Sequence, residues 1–237
     1  MTTELSPRHR APDRTYLRDY RPPTYRIPQV DLQFDLQADE THVCSRLSIE
    51  RVTLDQVPLQ LDGEALTLTA LYVDEAPLAD KYIEMHDRGL LIKGLPDRCK
   101  LRIENRIHPT QNTALSGLYL SQNSLFTQCE AEGFRRITYF IDRPDILSIY
   151  TVEMSADKKS YPVLLSNGNL VAQENRAGGR HWTKWHDPFP KPSYLFAIVA
   201  GDLEYLQDKF TTRSGRDVDL RLYARQGDIA QCLSLLH

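Results

Sequence analysis

Apolar residues occupy every second position through much of this 237-residue chain. In the segment VDLQFDL, Val30, Leu32, Phe34 and Leu36 alternate with polar residues, which is the pattern of a strand with one buried face. Because side chains alternate between the two faces of a strand, such a chain buries a core by pairing its strands into sheets. We interpret similar runs as strands at residues 43–49, 66–73, 89–95, 101–107, 118–128, 148–156, 161–168, 181–187, 194–203 and 218–224.

Turn dipeptides separate many of these runs. Asn167-Gly168, Gly178-Gly179 and Ser214-Gly215 are typical of tight turns and hairpins. Short strands at intervals of about ten residues predict an all-β fold, either a sandwich or a curved domain of several sheets. A length of 237 residues and an apolar fraction of 41% are sufficient for a substantial core.

The alternation stops near the C-terminus, where Asp228 can cap a helix. The apolar residues that follow have helical spacing: Ile229, Cys232, Leu233 and Leu236. A helix this short is marginal unless its apolar face packs against another element. We therefore expect residues 228–237 to begin the first helix of a second domain, in which the chain stops.

Charge and hydropathy give no sign of a nucleic-acid or membrane partner. The formal net charge is -3, and no apolar run approaches the roughly 20 residues of a membrane span. Residues 1–15 mix arginine and proline without the apolar segment of a secretory signal, and we expect them to form a mobile arm. Cys44, Cys99, Cys129 and Cys232 form no CxxC pair, which predicts reduced thiols in a cytoplasmic protein.

Common catalytic and metal-binding motifs are absent from the sequence. It contains no HExxH, GxSxG, Walker or GxGxxG pattern. His181 and His186 are five residues apart, so a strand would place them on opposite faces and not at one metal ion. We interpret both as structural, with Trp182 and Trp185 as core or interface aromatics. The missing motifs and the spacing of the two histidines therefore predict no metal ligand in this chain.

One segment gathers polar groups between apolar strands: TQCEAEGFRRITYFIDRPD, residues 127–145. Glu130 and Glu132 could form the acid and nucleophile pair of a glycosidase if the strand continued through both. A solvated strand face is the simpler alternative, and residues 131–133 favour a turn over a strand.

A single carboxylate beside an amide has another use. Glu130 could hold an ammonium group through charge-assisted hydrogen bonds, while Gln128 lines the adjacent pocket. Arg135 and Arg136 are expected to form internal ion pairs, for instance with Asp142 or Asp145. Both uses remain open on the residues alone.

The same segment resembles the part of the M1 (gluzincin) zinc aminopeptidases that faces their active site. Further segments resemble this family in the same order, and the likeness extends from about residue 16 across nearly the whole chain. These segments are RDYRPPTYRIPQVDLQFDL (18–36), NTALSGLYLS (112–121), YPVLLSNGN (161–169), HDPFPKPSYLFAIVAGDLE (186–204) and FTTRSGR (210–216).

The resemblance implies that residues 16–227 form the saddle-like N-terminal β domain that packs over a thermolysin-like catalytic domain. In the family, the catalytic domain carries the GxMEN loop, the HExxH zinc helix and a third zinc-binding Glu, and none of these occurs here. The implied partners are that catalytic domain and the N-terminus of a peptide substrate. The chain by itself is expected to bind no cofactor and to be inactive, with zinc belonging to the full-length enzyme.

By the same resemblance, Glu130 binds the substrate's free α-ammonium group and Gln128 lines the pocket for its first side chain. The peptide bond between Glu130 and Ala131 is expected to be cis, which adds Ala131 to the substrate-binding residues. A domain separated from its catalytic partner should also expose an apolar face. The alternative interpretation is a stand-alone β-sandwich module that binds a peptide or a protein.

Overall fold

The computed structural model describes residues 16–229 and 231 and confirms an all-β fold of several sheets. The strands are β1 (Tyr25–Arg26), β2 (Gln29–Asp35), β3 (Thr41–Arg51), β4 (Leu59–Asp62), β5 (Thr67–Val73), β6 (Ala76–Pro77), β7 (Ile83–His86), β8 (Gly89–Ile92), β9 (Arg98–Ile107), β10 (Gly117–Ser121), β11 (Ser124–Gln128), β12 (Leu147–Asp157), β13 (Val163–Ser166), β14 (Asn169–Asn175), β15 (Arg180–Pro192), β16 (Ile198–Gly201), β17 (Leu203–Thr211) and β18 (Asp217–Arg225). Short 3-10 helices lie at Leu17–Asp19, Asp80–Tyr82, Pro109–Gln111, Phe134–Arg136, Ala177–Gly179 and Ser193–Leu195.

A nine-stranded sheet forms the frame of the domain, in the order β14-β15-β12-β2-β3-β9-β5-β6, with β1 added at β3. Strands β12 and β2 pair in parallel, whereas the neighbouring β2–β3 and β12–β15 pairs are antiparallel. A four-stranded sheet has the order β10-β11-β16-β13, and a three-stranded sheet has the order β4-β8-β7. Strands β17 and β18 form a separate hairpin.

The core lies on the inner face of the large sheet, where alternate residues are buried as the sequence predicts. In β2, Val30, Leu32 and Phe34 are buried, and the residues between them are exposed or half-buried. Strand β3 repeats this pattern over eleven residues. Each buried aliphatic side chain contributes about 1.5–3 kcal/mol through removal of apolar surface from water. The long connection between β11 and β12 packs against this face: Phe134 contacts Tyr150 of β12, and Thr138 Oγ1 lies 2.9 Å from Ser45 Oγ of β3.

The predicted strands are confirmed in position, but several differ in extent. The run at residues 118–128 is two strands, because the chain reverses at Gln122, whose φ is 54°. The predicted runs omit β1, β4, β6, β7, β14 and nearly all of β17. Strand β14 shows no apolar alternation, because nearly all its residues are exposed at the edge of the sheet. Strand β15 continues to Pro192, beyond the predicted end at residue 187.

The predicted turns occur, although only two of the three close hairpins. Gly178-Gly179 joins the paired strands β14 and β15, and Ser214-Gly215 joins β17 and β18. The turn at Asn167-Gly168 instead leads from β13 in the four-stranded sheet to β14 in the nine-stranded sheet. Each turn dipeptide therefore predicted where the chain turns, but not whether the strands before and after the turn pair with each other.

The hairpin of β17 and β18 has two unlike faces. One face carries Tyr205 and Tyr223, whose ring centroids are 5.3 Å apart and which line a groove with residues of β13, β14 and β15. Register places the other face's apolar residues opposite one another: Leu206 with Leu222, and Phe210 with Val218. On that face the Phe210 side chain is 56% exposed.

The expected arm at residues 1–15 lies outside the described residues, as does most of the expected helix at 228–237. Both expectations, and the domain boundaries drawn from them, stay predictions. Within residues 16–229 and 231, no helix is long and apolar enough to cross a membrane.

Candidate functional site

The predicted site lies where β11 ends and the chain turns into the 3-10 helix Phe134–Arg136. Gln128, Glu130 and Ala131 are exposed, whereas Cys129 is buried. The peptide bond between Glu130 and Ala131 is cis, as the resemblance implies. The turn therefore directs two polar side chains into solvent from a backbone that Cys129 holds in the core.

Gly133 allows this turn to be tight. Its N–H donates to the carbonyl of Cys129 over 2.8 Å. A Cβ at this position would lie 2.4 Å from the Gln128 carbonyl oxygen and 2.9 Å from Cys129 Cα. Real side chains do not approach backbone atoms this closely, so a residue larger than glycine would force the turn open.

Phe134 fixes the far end of the turn in the core. Its side chain is fully buried and makes edge-to-face contacts with Phe140 and Phe196, at centroid distances of 4.9 and 5.1 Å. Tyr150 of β12 makes a third such contact at 6.1 Å. Edge-to-face pairs stabilise beyond the effect of area burial because ring edges and faces carry opposite partial charges.

An ion pair between Arg135 and the buried carboxylate of Asp142 supports the turn. Arg135 donates to Asp142 Oδ2 from its backbone N–H and from Nε, each over 3.1 Å. Ser193 Oγ donates to Asp142 Oδ1 over 2.6 Å, and the Asp142 N–H donates to Asp62 Oδ2 over 3.1 Å. Asp142 is only 2% exposed, so its carboxylate is satisfied by protein groups. The predicted pairing of Arg135 with Asp142 is confirmed.

Arg136 also forms an internal ion pair, as expected, but not with Asp142 or Asp145, the two examples given above. Arg136 pairs with Glu64, a residue far away in sequence that neighbours the three-stranded sheet. Asp145 instead accepts from Arg143 and from the Tyr20 hydroxyl, and the hydrogen bond from Arg143 is the main cause of its lowered pKa. No local sequence pattern predicts an ion-pair partner that lies far away in the sequence and comes close only in the folded chain.

The two neighbouring glutamates have different surroundings. Glu132 Oε2 lies 3.4 Å from Arg135 Nη2, so its charge is matched within the domain. The Glu130 carboxylate, by contrast, makes no hydrogen bond or ion pair within residues 16–229 and 231. Gln128 Nε2 donates to the backbone carbonyl of Glu130 over 3.3 Å, which ties the two candidate residues together. Glu130 is thus the carboxylate available to an external cation.

His181, His186 and Cys129 have structural surroundings. His181 is buried and hydrogen-bonds through Nε2 to the Tyr161 carbonyl at 2.7 Å, whereas His186 lies near Thr151 Oγ1 on the opposite face of β15. Burial, and then the nearby charge of Asp142, raises the pKa of the Cys129 thiol. In the part of the chain that the structure describes, no three His, Cys, Asp or Glu side chains form a group that could hold a metal ion.

The sequence names Gln128, Glu130 and Ala131 as candidates but does not predict the groups that support them. Asp62 and Ser193 are the clearest omissions, since both bond to Asp142. They come from β4 and from the 3-10 helix after β15. Only the packed structure shows that they converge beneath one turn.

Comparison with known proteins places this architecture in one family. Residues 23–195 match the Peptidase M1 N-terminal domain. The chain is 50% identical over 218 residues to aminopeptidase N of Escherichia coli, covering 92% of this chain and 25% of that protein. It is 49% identical over 220 residues to aminopeptidase N of Caulobacter vibrioides, covering 93% and 25%.

Solved structures agree with the sequence relatives. A crystal structure of Legionella pneumophila aminopeptidase A in complex with aspartic acid superposes with a TM-score of 0.86 at 35% identity, covering 92% of this chain and 26% of that one. An M1 zinc metallopeptidase from Deinococcus radiodurans shares the fold, with a TM-score of 0.71 at 15% identity, covering 86% of this chain and 48% of that one. The chain spans about a quarter of the length of the curated aminopeptidases it matches. It belongs to the family of M1 peptidase N-terminal domains.

Proposed function

We propose that this domain recognises the free N-terminus of a peptide within a zinc aminopeptidase, with Glu130 binding the α-ammonium group. The observation that carries the proposal is the exposed Glu130 carboxylate, unpaired within residues 16–229 and 231 and set on a braced turn. A carboxylate that meets an ammonium group forms charge-assisted hydrogen bonds. A turn held by buried groups keeps that carboxylate in place before the substrate arrives.

Gln128 is proposed to line the pocket for the first substrate side chain. It precedes Glu130 by two residues and is bonded to the Glu130 carbonyl. Ala131 contributes the backbone next to the residue that carries the carboxylate. Together the three residues form one edge of a site that recognises the start of a peptide, and the domain caps the site.

Cleavage is proposed to depend on a catalytic domain joined to this one. The solved relatives with this fold include an M1 zinc metallopeptidase, and we assign the metal to the catalytic domain on that ground. Zinc would polarise the peptide carbonyl and activate water there. This chain's own residues bind and orient the substrate's amino terminus. The cytoplasmic location stays a prediction from the sequence.

The outward face of the β17–β18 hairpin is proposed to contact the catalytic domain. Leu206, Phe210, Val218 and Leu222 share this face, which is turned away from the Tyr205 and Tyr223 side. An isolated two-stranded hairpin is marginal in water, so such a face gains stability when it is covered. This is the apolar surface expected of a domain separated from its partner.

The anchoring role is tested by changing Glu130 in an enzyme that joins this domain to its catalytic domain. A hydrogen bond to a charged group contributes about 1.5–3 kcal/mol, so Glu130→Gln should lower kcat/KM for alanyl chromogenic amides about 10- to 150-fold. Glu132→Gln is the matched control. Glu132 lies two residues after Glu130 in the same turn, and its carboxylate is already paired with Arg135. Equal kinetics for the Glu130 variant and the wild type would refute the role.

The chain alone provides a second test. With added zinc, residues 1–237 should not hydrolyse an alanyl chromogenic amide. Robust turnover by the pure chain would contradict a domain that only binds and caps. The ion pair between Glu132 and Arg135 also disfavours a glycosidase pair, since Glu132 already has an internal partner. No contact among residues 16–229 and 231 favours the stand-alone binding module.

A further inference from the structure

We infer that Asp142 is a positioning residue for substrate binding: it holds the turn that carries Glu130 in the orientation that meets the substrate ammonium. This inference rests on the proposed anchoring function of Glu130. Asp142 does not touch the substrate, because its carboxylate is buried and fully engaged by protein groups.

The first argument is that side-chain contacts do not hold Glu130. Its carboxylate has no hydrogen bond or ion pair with the part of the chain described, so its direction depends on the backbone of the turn. Gly133 closes that turn onto Cys129, the residue directly before Glu130. Whatever fixes the backbone from Cys129 to Arg135 therefore fixes the position and Cα–Cβ direction from which the Glu130 side chain extends.

The second argument is that Asp142 is the point where the fixing groups meet. Its Oδ2 accepts from the backbone N–H and from Nε of Arg135, and the Asp142 carbonyl accepts from Arg135 Nη2 over 3.0 Å. Ser193 Oγ holds the second carboxylate oxygen, and Asp62 accepts from the Asp142 N–H. One buried carboxylate thus connects the turn to two distant elements.

The third argument is proximity to the other end of the turn. Gly133 bonds to the Cys129 carbonyl, and Arg135, two residues later, is held by Asp142, so the fixed segment reaches the residue that separates Gln128 from Glu130. The charge of Asp142 also contributes to the raised pKa of the Cys129 thiol. Arg135, held by Asp142, also lies 3.4 Å from Glu132. Asp142 therefore fixes the Arg135 end of the turn directly, and Gly133 ties the Cys129 end to the same segment.

A double-mutant cycle separates positioning from general stability. Asp142→Asn keeps the shape and an acceptor for Arg135 but removes the negative charge. In the enzyme that includes the catalytic domain, we expect it to lower kcat/KM for an alanyl chromogenic amide about 10-fold, because small displacements of a binding group cost rate steeply. In a Glu130→Ala background the same substitution should change kcat/KM less than twofold, since the group it positions is absent.

Asp145→Asn is the matched control. Asp145 is an acid of the same connection that also pairs with an arginine, yet it bonds to Arg143 and Tyr20 and not to the turn. Its replacement should leave kcat/KM within twofold of wild type. If Asp142→Asn lowers the yield of folded enzyme, Ser193→Ala removes one bond to the same carboxylate and enters the same cycle, with an expected loss of about threefold.

The outcomes distinguish this inference from the proposed function. An equal loss from Asp142→Asn with and without the Glu130 side chain would show a general structural effect and overturn the inference. A Glu130→Ala enzyme with wild-type kinetics would overturn the anchoring function itself. A large effect of Glu130→Ala with no effect of Asp142→Asn would remove only the positioning role.

Discussion

Phe134→Ala should be among the most destabilising single substitutions in this domain. Phe134 is completely buried and contacts Phe140, Tyr150 and Phe196 edge-to-face. Truncating a buried phenylalanine costs about 3–5 kcal/mol through lost transfer free energy and the cavity left behind. Three aromatic contacts surround this ring, so we expect the upper part of that range, about 4–5 kcal/mol. The exposed Phe189 provides the control.

Urea denaturation of the chain, followed by tryptophan fluorescence and by circular dichroism, measures the effect. With an m-value of about 3 kcal/mol/M, a loss of 4–5 kcal/mol lowers the midpoint by about 1.3–1.7 M. Phe189→Ala, at a side chain that is 75% exposed, should shift the unfolding free energy by no more than about 0.5 kcal/mol. A Phe134→Ala loss below 2 kcal/mol at an unchanged m-value would refute the view that this ring anchors the turn in the core.

Three further substitutions have expected outcomes that can be measured. Gly133→Ala should cost about 1–3 kcal/mol of unfolding free energy by overpacking and should weaken substrate binding by the joined enzyme; an unchanged urea midpoint would contradict the tight turn. Burial raises the pKa of the Cys99 thiol to about 11, so the fold favours its neutral form, and stability present below about pH 9 should fall by roughly 2–3 kcal/mol as the pH rises to 11. Cys99→Val should flatten that part of the pH profile, and an unaltered slope would assign the loss to other groups. Phe210→Ser removes an exposed apolar side chain, so it should reduce self-association of the isolated chain in sedimentation velocity. Equal association of the variant and the wild type would show that another surface mediates it.

Strand identity and strand faces could be read from residues because they are local properties. Alternation in VDLQFDL assigns Val30, Leu32 and Phe34 to one face, and the structure buries all three. For the candidate site, the residues left several uses of Gln128, Glu130 and Glu132 open, and the family resemblance of residues 127–145 chose among them. Polarity alone could not separate Glu130 from Glu132, since both are exposed acids in one turn.

By itself, then, the sequence determined the all-β class, most strand positions and, through its family, the segment that carries the candidate site. Only the tertiary structure decided which groups support that segment: Glu64 for Arg136, and Ser193 with Asp62 around Asp142. It also decided that β12 pairs in parallel with β2, far away along the chain. The reason is physical. A period of two is set by the backbone of each strand, whereas partners distant in sequence depend on how separate sheets register and pack.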